Sequence, residues 1–186
     1  MAFFRKSAEP HALSVAITGV RRGDRLLQIG CADPTLLGAI GSKVGLSGRA
    51  CAAVADREMA ARARRGAERA GVLVEIEQTS LSKLPFADAS FDLVVIDSTD
   101  GSLGSMIAAS RDACLREALR VLAQRGRVVV VESGPRPRLA GLFRHAPINA
   151  SYQASGGSLA ALTAATFRAV RTLAAREGRV FHEGVK

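Results

Sequence analysis

The 186-residue chain predicts an α/β fold: a doubly wound, mostly parallel sheet with helices on both faces and an antiparallel hairpin at the C-terminal end. Two observations predict it. Short apolar runs that stop at Gly or an acid alternate with stretches of helical period, the pattern of a parallel sheet wound through crossover helices. Two later apolar runs stand too close together for a crossover between them, which leaves an antiparallel connection.

In chain order, residues 10–20 read as a helix opened by Pro10. Arg25–Ile29 (RLLQI) is a short apolar run ending at Gly30, a buried strand meeting a turn. In 35–44, Leu36, Leu37, Ile40 and Val44 recur at helical spacing, and 49–55 (RACAAVA) returns to strand character. Arg57–Ala70 puts Met59, Ala63 and Ala67 on one face and ends at Gly71 in the manner of a C-cap. Apolar and acidic residues alternate in 72–78 (VLVEIEQ), which marks a half-exposed edge strand. Buried strands follow at 91–96 and 127–131, separated by an amphipathic helix over 111–122. A helix over 158–165 leads to the hairpin strands 167–173 and 179–183, and 134–150 (GPRPRLAGLFRHAPINA) is the long irregular connection.

Composition narrows the function classes. There are 26 Lys plus Arg against 17 Asp plus Glu, for a formal charge of +9, which permits anionic partners. Aromatic residues make up only 4% of the chain, with no Trp and one Tyr, so base-stacking platforms are scarce and a nucleic-acid partner ranks last. Apolar runs fall far short of the roughly 18 to 20 residues that span a bilayer, and no apolar segment follows the N-terminal charges, so the expected location is cytoplasmic. Cys31, Cys51 and Cys114 are scattered without metal-ligand spacing, which supports neither a disulfide framework nor a metal site.

Three stretches, 26–34 (LLQIGCADP), 84–98 (LPFADASFDLVVIDS) and 115–132 (LREALRVLAQRGRVVVVE), together resemble the class I, seven-stranded, Rossmann-like S-adenosylmethionine-dependent methyltransferases. The similarity is strongest to the branch of ubiquinone and menaquinone biosynthesis methyltransferases. It implies one methyltransferase-like domain over 1–186, with an N-terminal helical segment at 1–22 and a loop or lid at 134–156. It also implies S-adenosylmethionine as cofactor and a small, lipid-like or anionic methyl acceptor.

The resemblance places the cofactor against Gly30, Cys31, Ala32, Asp33, Asp56, Ser80, Leu81 and Asp97. Gly30 suits close backbone approach to a nucleotide-like ligand, and equally a plain tight turn. The chain departs from the family in having Gln28 for an acid, and Ala32 and Pro34 for two further glycines. Asp33 either meets the cofactor's ammonium or caps the following helix, and the cap is favoured. Val54 stands where the family has a ribose-binding acid; Asp56, two residues later, either replaces it or caps the helix at 57, and again the cap is favoured. Ser80 aligns with the family's adenine-binding Asp and can accept the same bond without charge assistance. Cys31 is a packing residue in the family rather than a nucleophile.

Asp97 ends the fourth strand, as a polar group, a general base, or a solvated loop acid. Metal-dependent relatives carry an Asp-Asn pair after the fifth strand where this chain has Glu132-Ser133-Gly134, so no metal is expected. Of His11, His145 and His182, only His145 is expected near the cleft. The mixture of Arg136, Arg138, Arg144 and His145 with Leu139, Leu142 and Phe143 suits a lid over an apolar acceptor, an anionic surface contacted through 136–145, or a solvated connector. The altered anchors predict cofactor binding that is weak or lost. The rival readings are a non-catalytic partner subunit of this fold, working with a protein partner or as a homo-oligomer, and, last, a nucleic-acid methyltransferase.

Overall fold

The computed structural model describes residues 11–134 and 149–186. Seven strands form one sheet in the order β3-β2-β1-β4-β5-β7-β6. They are β1 (Arg25–Ile29), β2 (Arg49–Val54), β3 (Glu75–Gln78), β4 (Phe91–Ser98), β5 (Leu122–Ser133), β6 (Arg168–Arg176) and β7 (Arg179–Val185). The first five run parallel, and β7 lies antiparallel between β5 and β6. The helices are α1 (Ala12–Thr18), α2 (Pro34–Val44), α3 (Arg57–Ala70), α4 (Ser102–Ser105), α5 (Ala108–Val121), α6 (Ala150–Ala154) and α7 (Gly157–Ala164).

The central strands are apolar on both sides because helices cover both faces. Leu27, Ile29, Val94, Ile96, Val128 and Val130 pack against Cys114, Leu115 and Ala118 of α5 and Leu162 of α7. The alternate residues Leu26, Leu93, Val95, Val129 and Val131 pack with Leu36, Ile40 and Val44 of α2 and with Phe181. The strand order reverses between β1 and β4, and the carboxyl ends of those strands open the crevice in which doubly wound sheets place their ligands.

Several elements differ from the sequence expectation. The edge strand expected over 72–78 is only Glu75–Gln78, because Val72 and Val74 turn toward Gly41 of α2, while Leu73 is 88% exposed. β5 starts at Leu122, directly after α5, and reaches the register of 127–131 through an irregularity between the pairs Phe91–Leu122 and Leu93–Arg127. The hairpin turn is tighter than the five residues left between the expected strands: Glu177 (φ 52°) and Gly178 (φ 69°) alone connect β6 and β7, as in a type I′ turn. The short helices α4 and α6 carry no readable period. The second falls within the expected loop or lid over 134–156, of which 150–154 is helical. The rest of that proposed lid, with Arg136, Arg138, Leu139, Leu142, Phe143, Arg144 and His145, lies outside the described residues. Among the described residues no helix is long and apolar enough to cross a membrane.

Candidate functional site

The loop from β1 to α2 is shaped by backbone necessity. Gly30 sits at φ +79°, its N–H donates to Ala53 O at 2.9 Å, and a Cβ there would stand 2.9 Å from the carbonyl oxygen of Asp97. Asp33 has extended backbone and caps α2, its Oδ1 accepting from Thr35 N (3.0 Å), Leu36 N (3.3 Å) and Thr35 Oγ1 (2.6 Å). Pro34 occupies the first helical position, where a missing N–H costs the helix nothing. That accounts for the residue most at odds with a glycine-rich loop.

Asp97 is 1% exposed, so it is not a solvated loop acid. Its Oδ2 accepts from Asp33 N at 2.8 Å, and its Oδ1 accepts from Thr99 N at 3.2 Å and Thr99 Oγ1 at 2.8 Å. Burial pushes its carboxyl above the usual range despite those donors. With both oxygens engaged, Asp97 ties the loop after β1 to the end of β4.

Two residues join this site that local sequence did not place there. Arg179, the first residue of β7, donates to Asp33 Oδ2 at 2.5 Å and to Ser14 Oγ at 3.2 Å, and its guanidinium is 2.9 Å from His11 Nδ1. His11 Nε2 lies 2.6 Å from Thr35 Oγ1, so His11 reaches the cleft, while His145, the histidine expected there, lies outside the described residues. Burial raises the Asp33 carboxyl, but the Thr35 hydrogen bond with the charges of His11 and Arg179 outweighs it, leaving the group below its ordinary value. Burial lowers His11. A usable signal existed for Arg179: once β7 is antiparallel to β5, its first residue must emerge at the carboxyl edge.

The remaining candidates fall along the same edge, since β1, β2 and β3 are adjacent. Asp56 caps α3, its Oδ1 accepting from Met59 N at 2.7 Å. Ser80 Oγ accepts from Ser82 N at 3.3 Å, and Leu81 packs partly buried against the core below. Val54 is fully buried among Leu37, Ala60 and Ala63, so packing has replaced a carboxylate at the end of β2. Cys31 is fully buried and its thiol is pushed up to about 12, chiefly by burial, which makes it inert packing; Ala32 is half-buried beside it. Gln28 is buried under the loop with Nε2 donating to Gly30 O at 3.1 Å, while its Oε1 finds no partner. Among the described residues no group of three His, Cys, Asp or Glu side chains could hold a metal ion.

A family model described as "Methyltransferase domain" matches residues 27–130. The ubiquinone/menaquinone biosynthesis C-methyltransferase UbiE of Escherichia coli (strain K12 / DH10B) is 31% identical over 121 residues, 64% of this chain and 46% of that protein. The chain thus spans about half the length of the curated relatives it matches. Among solved structures, a SAM-dependent methyltransferase from Aquifex aeolicus superposes with a TM-score of 0.72 at 17% identity, covering 93% of this chain and 87% of that one. The [4+2]-cyclase SpnF superposes at 0.61 and 24% identity, covering 87% and 57% respectively. These two likenesses speak for the fold alone, and a cyclase among them shows that this fold also serves other chemistry.

Proposed function

The chain belongs to the methyltransferase-domain family, whose cofactor is S-adenosylmethionine, and from that premise we propose that it transfers a methyl group to a small, quinol-like acceptor. The observation that carries the proposal is the loop after β1, held at the switch point of the sheet by Asp97 within the very segment that the family model matches. Similarity to a quinone-biosynthesis C-methyltransferase supports the acceptor class.

The residues present fit the cofactor in part. Gly30, Cys31, Ala32 and Asp33 would hold its methionine portion and Ser80 with Leu81 its adenine, whereas Asp56 serves as the cap of α3 rather than as a ribose ligand. The cap bond uses one oxygen of Asp56, and its side chain is otherwise exposed at the end of β2. Asp33 is less free, since its carboxylate already serves Thr35, Leu36 and Arg179. When bound, the cofactor supplies an activated methyl group. The protein's task is then to align the acceptor and exclude water.

Calorimetric titration with S-adenosylmethionine and its demethylated product tests the premise, followed by methyl transfer to a short-prenyl hydroquinone. Each missing charge-assisted hydrogen bond costs about 1.5–3 kcal/mol, one to two powers of ten in affinity, so binding weaker than sub-micromolar is expected. The buried, apolar Val54 favours a second reading, a non-catalytic partner subunit. No heat and no thermal shift at millimolar cofactor would establish that reading in place of the first.

A further inference from the structure

A second polar cluster lies at the same carboxyl edge, two strands from Gly30 and thus roughly 10 Å away, on the side covered by α5 and α7. Glu132, near the end of β5, pairs in register with Ser98 of β4. Its Oε2 stands 3.6 Å from Nε2 of His182 on β7, and the two side chains keep narrow openings, 12% and 14% exposed. His182 Nδ1 is 3.1 Å from the hydroxyl of Thr172, an exposed residue on β6. From α7 Ser158 stands beside Glu132, its hydroxyl favouring the charged carboxylate, and Ser158 Oγ lies 2.8 Å from Tyr152 Oη on α6. Arg111 of α5 lies over the Tyr152 ring at 4.6 Å. Among the described residues, the titratable groups facing Glu132 are His182 and Tyr152, with Arg111 stacked over the Tyr152 ring.

Packing does not ask for these residues. The run Val128 to Val131 fills β5 with valine, and Glu132 then places a mostly buried carboxylate beside a mostly buried imidazole. Burial pushes the Glu132 carboxyl up and His182 down, so the proton affinities of the two facing groups move toward each other. The sequence of polar atoms also has a direction, from the crevice at Glu132, through His182, to the surface at Thr172.

We propose that Glu132 is the proton acceptor for a methyl acceptor bearing an ionisable O–H, a phenol, enol or hydroquinone, and that His182 is the positioning residue that relays the proton to Thr172 and solvent. This rests on the methyltransferase reading above. The acceptor's O–H bond breaks, its proton goes to a Glu132 oxygen, and the freed electron pair, directly or through the conjugated ring, forms the bond to the methyl carbon. The methyl–sulfur bond breaks and its pair returns to sulfur. If a ring carbon is the nucleophile, its C–H proton returns to the ring oxygen, so one proton leaves per methyl in either case. The proton then moves from Glu132 to His182 Nε2, while Nδ1 gives one up to the Thr172 hydroxyl and water.

The test compares the full chain with Glu132→Gln, Glu132→Ala and His182→Asn, using the short-prenyl hydroquinone as acceptor. With Glu132→Gln, kcat should fall on the order of 100-fold and the acid limb of the pH–rate profile should vanish. The KM for the cofactor and the melting temperature should stay near wild type. Formate should restore part of the activity of Glu132→Ala, which a merely structural carboxylate would not allow. His182→Asn should fall less and shift the profile. A Glu132→Gln enzyme at the wild-type rate, or a loss wholly in KM or melting temperature, overturns the proposal. NMR of the imidazole nitrogens gives a readout without turnover: the His182 midpoint should drop by about one pH unit in Glu132→Gln, and an unmoved midpoint also overturns the relay. If wild type binds the cofactor yet methylates no hydroquinone, the acceptor reading fails, and the NMR titration still decides whether Glu132 and His182 share a proton.

Discussion

Replacing Gly30 with Ala probes the geometry on which the site depends. At φ +79° an L-residue costs about 1–2 kcal/mol of backbone strain. The new methyl would stand 2.9 Å from Asp97 O, a backbone atom of a buried strand that cannot swing aside, and such overpacking costs about 1–3 kcal/mol. Together the destabilisation is about 2–5 kcal/mol, which at about 2–4 °C per kcal/mol for a chain of this size lowers the melting temperature by about 4–20 °C. Gly71→Ala is the internal control. Gly71 has φ +64° but nothing within 4 Å of its absent Cβ, so only the backbone cost applies. Scanning calorimetry of both variants beside wild type separates the two contributions, and cofactor titration of Gly30→Ala should show an affinity loss that Gly71→Ala lacks. Equal shifts for the two variants would refute the claim that the loop after β1 is wedged against the end of β4.

Three further outcomes follow from the same contacts. Asp56→Ala should lose about 0.5–2 kcal/mol of stability as a vacated helix cap, with cofactor affinity nearly intact; a large affinity loss at unchanged melting temperature would make Asp56 the ribose ligand instead. Arg120 donates to the carbonyls of Leu84 and Phe86 and to the carboxylates of Glu117 and Asp88, so Arg120→Met should cost about 1.5–3 kcal/mol, read as a lower urea midpoint at unchanged slope. For pH, burial holds His11 and His182 below 6.5, so beneath that value the unfolded chain binds more protons than the native one. Their contribution is complete above pH 6.5 and is lost as pH falls below it. Asp97 and Glu132, raised by burial from 3.8 and 4.5, act oppositely, lending stability at acid pH that fades as pH rises through their folded values. On acidification below pH 6.5 the two histidines lower the melting temperature, and the double variant His11→Asn/His182→Asn should remove that contribution.

Much of this protein is determined by local sequence. The order of strands and helices follows from hydrophobic period, because a buried strand needs an apolar run and a covering helix needs an apolar stripe, and both can be read within a few residues. The caps at Asp33, Asp56 and Gly71 are equally local, since each bonds to backbone no more than four residues away. The closing hairpin is dictated by how little chain separates its strands. Only the tertiary structure decided what these elements bring together. Arg179 and Asp33, 146 residues apart, meet because β7 inserts antiparallel beside β5 and so starts at the crevice. Glu132 faces His182 because the register pairs Val130 with His182 and Glu132 with Val180, leaving the two polar side chains on one face. In the chain Asp97 reads equally as a polar group, a general base or a solvated loop acid, and it becomes a buried tie in the fold, since the backbone N–H it accepts from belongs to a loop 64 residues earlier. Period and capping act over a few residues of chain, whereas strand order and register set which distant charges share a low-dielectric space, and the chemistry of the site depends on the latter.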